Sequence, residues 1–182
     1  MRIKTKWHKK DRPKDVGEIA GVLAPITWRV AVRAVDHIGD EEFKFESGEL
    51  RFQVLEEFLA FLVQVLDRMA YDRMEDEERS RLITAVALRL ADTFEENQRD
   101  WVGPGDYRGT FIDKLNERVQ DYADFSYGED GPGYQFKRYL GDKVLAIMGG
   151  KDINRWVIDQ VMDIEIPEAL KTISKGFNDL MR

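Results

Sequence analysis

Apolar residues recur every three or four positions along most of this chain, the period of helices buried on one side. The first such stretch, about 15–38, carries Ile19, Leu23, Ile26, Val30, Val35 and Ile38. Pro25 lies inside it and predicts a kink or a fresh start, and Gly39 predicts the stop. The second stretch runs to about Arg73. Leu55, Phe58, Leu59, Leu62, Val65, Leu66 and Met69 cover one face, and Phe61 and Val63 spill beyond it. A helix apolar on so much of its circumference is expected at the centre of a bundle, with Gln53, Glu57, Gln64 and Tyr71 as its narrow polar remainder.

The acidic run Met74–Glu78 suits a helix N-terminus, so the chain is expected to break near Arg73 and continue as a third helix to about Arg99, with Ile83, Val86, Leu90 and Phe94 inward. A fourth helix spans about 106–126 on Phe111, Leu115, Val119, Tyr122 and Phe125, and Thr110-x-x-Asp113 has the form of a capping box. The cluster from Gly128 to Gly133 is a turn, followed by a fifth helix over about 134–148 that closes at Gly149-Gly150. Asp152 predicts the cap of a sixth helix with Ile153, Val157, Val161 and Ile164 inward. Ile166-Pro167 predicts the start of a seventh, with Leu170, Ile173, Phe177 and Leu180.

Residues 42–54 admit two structures. Period-2 alternation on both sides of Ser47-Gly48 fits a β-hairpin, with Phe45 opposite Leu50 and Phe43 opposite Phe52. That register also sets Lys44 against Arg51 and Glu46 against Glu49, which repel. The alternative makes Ser47 the N-cap of the second helix, with Glu49 in its first turn, and the helical run beyond favours it. The fold class read from the chain is all-α: a single-domain bundle of about six to seven helices, with a short hairpin near residues 42–54 as the variant.

Charge divides the chain in two. Residues 1–14 hold seven Lys/Arg against Asp11, a balance of +6, whereas residues 15–182 hold 21 basic and 34 acidic residues, a balance of −13. A basic N-terminal arm, 1–14, is thus expected ahead of one helical domain, 15–182. The acidic body is unsuited to phosphate backbones, which leaves the arm as the sole route to nucleic acid. The arm lacks the serines of a transit peptide, and no apolar segment of a secretory signal follows it. The longest apolar run, Phe58–Val63, falls far short of the about 20 residues that span a bilayer. A cytoplasmic protein with no membrane association is the expectation.

The residue inventory excludes several chemistries. The chain has no cysteine and only two histidines, His8 and His37, so thiolate sites and multi-histidine metal sites cannot be built within it. No G-x-S-x-G, P-loop or dinucleotide-type glycine loop occurs. Glu57 with Glu95 or Glu96 suggests a carboxylate bundle site, but the Glu-x-x-His such sites use is missing. No cofactor is implied.

Four constellations remain. Asp36, His37 and Asp40 are the metal-like cluster, since carboxylates and imidazole ligate Zn, Mn or Fe; their bland role is a solvated helix C-terminus. Asp121, Tyr122, Asp124 and Tyr134 form an acidic-aromatic turn suited to gripping a cationic ligand through ring faces, or simply a tyrosine-lined helix end. Trp156, Ile158 and Met162 lie off the face of Val157 and Val161, which makes the sixth helix apolar on two sides and a candidate self-association surface. Trp28, Arg29 and Arg33 add an anion site on the first helix, against ordinary surface ion pairs. With no nucleophile–base pair and no complete ligand set, the expected function is a non-enzymatic interaction module that forms a homo-oligomer and binds another protein. The alternatives are a metal- or small-ligand-binding bundle with a carboxylate/His site and a nucleic-acid accessory protein acting through the arm.

Overall fold

The computed structural model describes residues 14–40, 45–149 and 156–182. The protein is an all-α bundle with one small hairpin. Its helices are α1 (Val16–Asp40), α2 (Gly48–Tyr71), α3 (Asp76–Val102), α4 (Tyr107–Tyr122), α5 (Tyr134–Met148), α6 (Val157–Gln160) and α7 (Ile166–Leu180). The antiparallel pair β1 (Tyr127–Gly128) and β2 (Gly131–Pro132) lies between α4 and α5, with Tyr127 opposite Pro132.

Residues 48–54 are helix, not hairpin. Ser47 caps α2, its hydroxyl accepting from the Leu50 amide (3.3 Å). The remainder of the hairpin reading, residues 42–44, lies outside the described residues. The hairpin that exists turns through Glu129-Asp130, and Gly131 takes φ of +96°, a conformation open to glycine. The cap of α4 is Asp106, which accepts from Gly109 N (3.0 Å), rather than the box expected at Thr110.

α2 is central, as its apolar circumference predicts: it packs against α1, α3, α4, α5 and α7. Burial goes further than the sequence suggests, because Glu57 and Gln64 are buried as well. Phe94 of α3 stacks on Phe111 of α4 (4.9 Å between ring centres). Phe61, Tyr122 and Phe136 join α2, α4 and α5 edge to face and tilted. α1 runs through Pro25 without a fresh start and buries Ala20, Ala24, Ala31 and Ala34 among its larger apolar residues.

The largest departure from the sequence pattern is at the C-terminal end. Helix is continuous from Val157 to Leu180, because a π-helical turn (Val161–Glu165) joins α6 to α7. Pro167 explains the wide turn. It has no N–H, and its ring would press on the carbonyl four residues back. In the π turn the Ile166 amide reaches Val161 O, five residues back, which loosens the helix just before the proline. One extra residue rotates everything downstream by about 100° relative to a regular helix. Within the turn itself, Ile164, expected inward, is 40% exposed, and Glu165, four residues after the buried Val161, is 4% exposed.

Candidate functional site

α1 and α7 run side by side, and between them lies a groove of about 600 Å³. Its floor is apolar, made by Ile26, Val30 and Ala34 of α1 and Ala169 of α7. Ile26 and Val30, read from the sequence as core positions, are half-buried here. Its rim is polar: Arg29, Arg33, Asp36, His37 and Asp40 on one side, Glu165, Glu168 and Thr172 on the other. Periodicity explains the α1 side, since 26, 29, 30, 33, 34 and 37 fall on one helical face.

The groove's most constrained polar group is Glu165. The π turn forces its carboxylate out of solvent, where it needs donors. His37 Nδ1 donates to Oε1 (2.7 Å), and Gln160 Nε2 donates to the same oxygen (2.8 Å). Burial raises the Glu165 carboxyl above its usual range, while Gln160 and His37 pull it back. Arg33 and Glu168 face each other across the groove at 3.7 Å, both well exposed. Arg29 is exposed and has no ion-pair or hydrogen-bond partner among the described residues. Trp28 points away and meets Phe94 edge to face (6.5 Å), so it takes no part in an anion site.

The members of the metal-like trio line one wall but are differently engaged. His37 is engaged by Glu165, and Asp36 pairs with Arg51 of α2. Asp40 is exposed at the end of α1. Among the described residues, no three His, Cys, Asp or Glu side chains are placed to hold a metal ion. Sequence reasoning found five groove residues on α1 but missed Glu165. Its only sequence signal is Pro167 two residues later, inside a helical pattern.

The acidic-aromatic residues are also divided among different tasks. Tyr122 is fully buried, its ring among Phe61, Phe125, Phe136 and Tyr139. Burial raises its hydroxyl well above its ordinary pKa. Asp121 accepts from Tyr139 Oη (2.5 Å) and from Arg118 Nη1 (2.9 Å), and both contacts, the tyrosine's first, hold its carboxyl low. Asp124 and Tyr134 are exposed. The ring of this cluster that meets cations is Tyr139, with Lys143 Nζ 5.0 Å and Arg118 5.9 Å from its centre.

Beneath that turn lies a buried ion pair that the sequence did not announce. Arg118 of α4 grips Glu57 of α2 with two hydrogen bonds (Nε to Oε2 2.7 Å, Nη2 to Oε1 2.6 Å), and both side chains are 3% exposed. Arg118 also donates to Glu117 (2.7 Å), and Lys114 stands 3.8 Å from Glu57. The Glu57 pair first, then its other acids, holds the guanidinium more firmly protonated than usual. This full satisfaction by Arg118 replaces the carboxylate-bundle role considered for Glu57.

A second cleft, about 770 Å³, lies between the end of α2, the hairpin and α7. Its arginines are already engaged. Arg68 donates to the carbonyls of Tyr122 (3.2 Å) and Ala123 (2.9 Å) at the end of α4, and Arg73 lies over the Phe177 ring.

On α6, Ile158 is buried and faces Gly141 of α5, where an added Cβ would sit 3.0 Å from Ile158 Cγ2. Trp156 is 58% exposed and Met162 half-buried. Residues 1–13 of the basic arm lie outside the described residues; Lys14, at its end, donates to Leu180 O (2.8 Å) at the C-terminus of α7. Among the described residues no helix is long and apolar enough to cross a membrane. The chain matches no family model, no curated protein and no solved structure.

Proposed function

We propose that this chain is a binding protein for a small organic molecule, held in the groove between α1 and α7. The observation that carries this reading is the buried Glu165, fixed by His37 and Gln160 at a π turn on the wall of an open groove. An apolar floor with a few convergent polar groups is the usual make-up of a ligand site, and π turns recur at such sites. The volume, about 600 Å³, lies in the ordinary range for small ligands.

Ligand-observed NMR with a panel of small organic molecules tests this. Binding to the wild type and its loss in Thr172→Trp, which fills the groove from an exposed position, is the expected result. Equal binding by the variant would place the molecules elsewhere and end this reading.

A second reading, self-association, is favoured by Trp156, just before α6, and Ile164 in the π turn, two large exposed apolar side chains. Native mass spectrometry is expected to give a multiple of 21.2 kDa that reverts to the single mass in Trp156→Ser. A single mass for the wild type at tens of micromolar would dispose of it.

A further inference from the structure

The charges around the α1–α7 groove are unequally satisfied. Asp36 is paired with Arg51, Glu165 is bound by His37 and Gln160, and Glu168 faces Arg33. Arg29 is the groove cation that has no partner among the described residues. Arg33 is held only at 3.7 Å by an exposed acid, a contact that yields readily to a better one. The two arginines are four residues apart on one face of α1, so their guanidinium groups can address the same anionic group. Directly beneath them, Ile26, Val30, Ala34 and Ala169 offer an apolar bed. Asp40 stands at the other end of the α1 wall, 11 residues or about 16 Å along the helix from Arg29. A negative group is thus attracted at one end of the groove and repelled at the other.

We infer that the ligand is a small amphipathic anion, its acidic group on Arg29 and Arg33 and its apolar part along the floor of the groove. This rests on the groove being the binding site, and the test separates the two. The probes are octanoate, 1-octanol and octylammonium, which share a chain and differ in head-group charge. Each is titrated calorimetrically into the wild type, Arg29→Gln and Thr172→Trp, and melting curves verify that all three proteins are folded. Octanoate is expected to bind about fivefold more tightly than octanol, the scale of one partly exposed charge contact, and octylammonium most weakly. Arg29→Gln should bring octanoate down to the level of octanol and leave octanol unchanged. Added salt should weaken octanoate alone. If all three bind alike, or octylammonium binds best, and Thr172→Trp still abolishes binding, the groove stands and the anion inference is overturned. If none binds, or Thr172→Trp binds as the wild type does, the groove reading fails and takes the inference with it.

Discussion

Arg118→Met is expected to lower the free energy of unfolding by about 3–5 kcal/mol, the cost of leaving a buried charge without its partner. The loss arises at Glu57, which α2 holds out of water and which accepts two hydrogen bonds from Arg118. With the guanidinium gone, Lys114 at 3.8 Å is the remaining cation and cannot reproduce a two-pronged contact. For a chain of this length the melting temperature should fall by roughly 10 °C. Arg118→Lys should lie between the two, because it keeps the charge and loses the fork. The double variant Glu57→Leu/Arg118→Met should recover most of the loss, since an apolar pair of similar volume replaces a buried ion pair at little cost. Urea unfolding of the wild type, Arg118→Met, Glu57→Leu and the double variant gives the coupling energy directly. A loss below about 1 kcal/mol in Arg118→Met would mean the pair is hydrated in solution, and its place as the buried tie between α2 and α4 would be abandoned.

The elements legible in the sequence are those fixed by local chemistry. Ser47 caps α2, the acidic run before Leu82 opens α3, and Gly149 with φ of +73° closes α5, each from residues within one turn of the boundary. The central place of α2 follows from its apolar circumference, again a local signal. The site was half legible for the same reason. Arg29, Arg33, Asp36, His37 and Asp40 share one wall because they are helical neighbours, but that Glu165 faces His37 depends on a contact 128 residues apart in sequence. It also depends on which step follows Val161: the apolar pattern took the three-residue step to Ile164, whereas the π turn turns the residue four on, Glu165, inward. Glu57 illustrates the opposite error. It reads as part of a solvated stripe, and only a partner 61 residues away makes its burial tolerable. Two members of the metal-like trio have partners on other helices, Asp36 on α2 and His37 at the π turn, contacts that no local spacing announces.

Glu56, beside that pair on the half-buried side of α2, gives the fold a pH dependence of definite sign. Loss of solvent raises its carboxyl from 4.5 to about 7; Lys114 opposes the rise, Glu57 adds to it, and Arg118 opposes it. The folded state therefore binds the Glu56 proton more tightly than the unfolded chain does. Its contribution is fully present below pH 4.5 and is lost as pH rises through about 7. Allowing for partial exposure, the penalty at pH 8 is about 2 kcal/mol. Glu56→Gln keeps the shape and removes the charge. It is expected to match the wild type near pH 4.5 and to exceed it by about 2 kcal/mol at pH 8, with the difference opening between pH 5 and 7. Glu165, raised in the same direction, tilts the stability of both proteins alike and cancels in the comparison. Urea unfolding of both proteins at half-unit steps from pH 4.5 to 9.5 is the measurement. Parallel curves would show that Glu56 is already ionised in the fold. A difference opening only above pH 8 would assign the proton to another group, and Lys114→Met would then decide whether the α2–α4 seam is involved, because removing that cation must raise the Glu56 carboxyl further if Glu56 is the group that titrates.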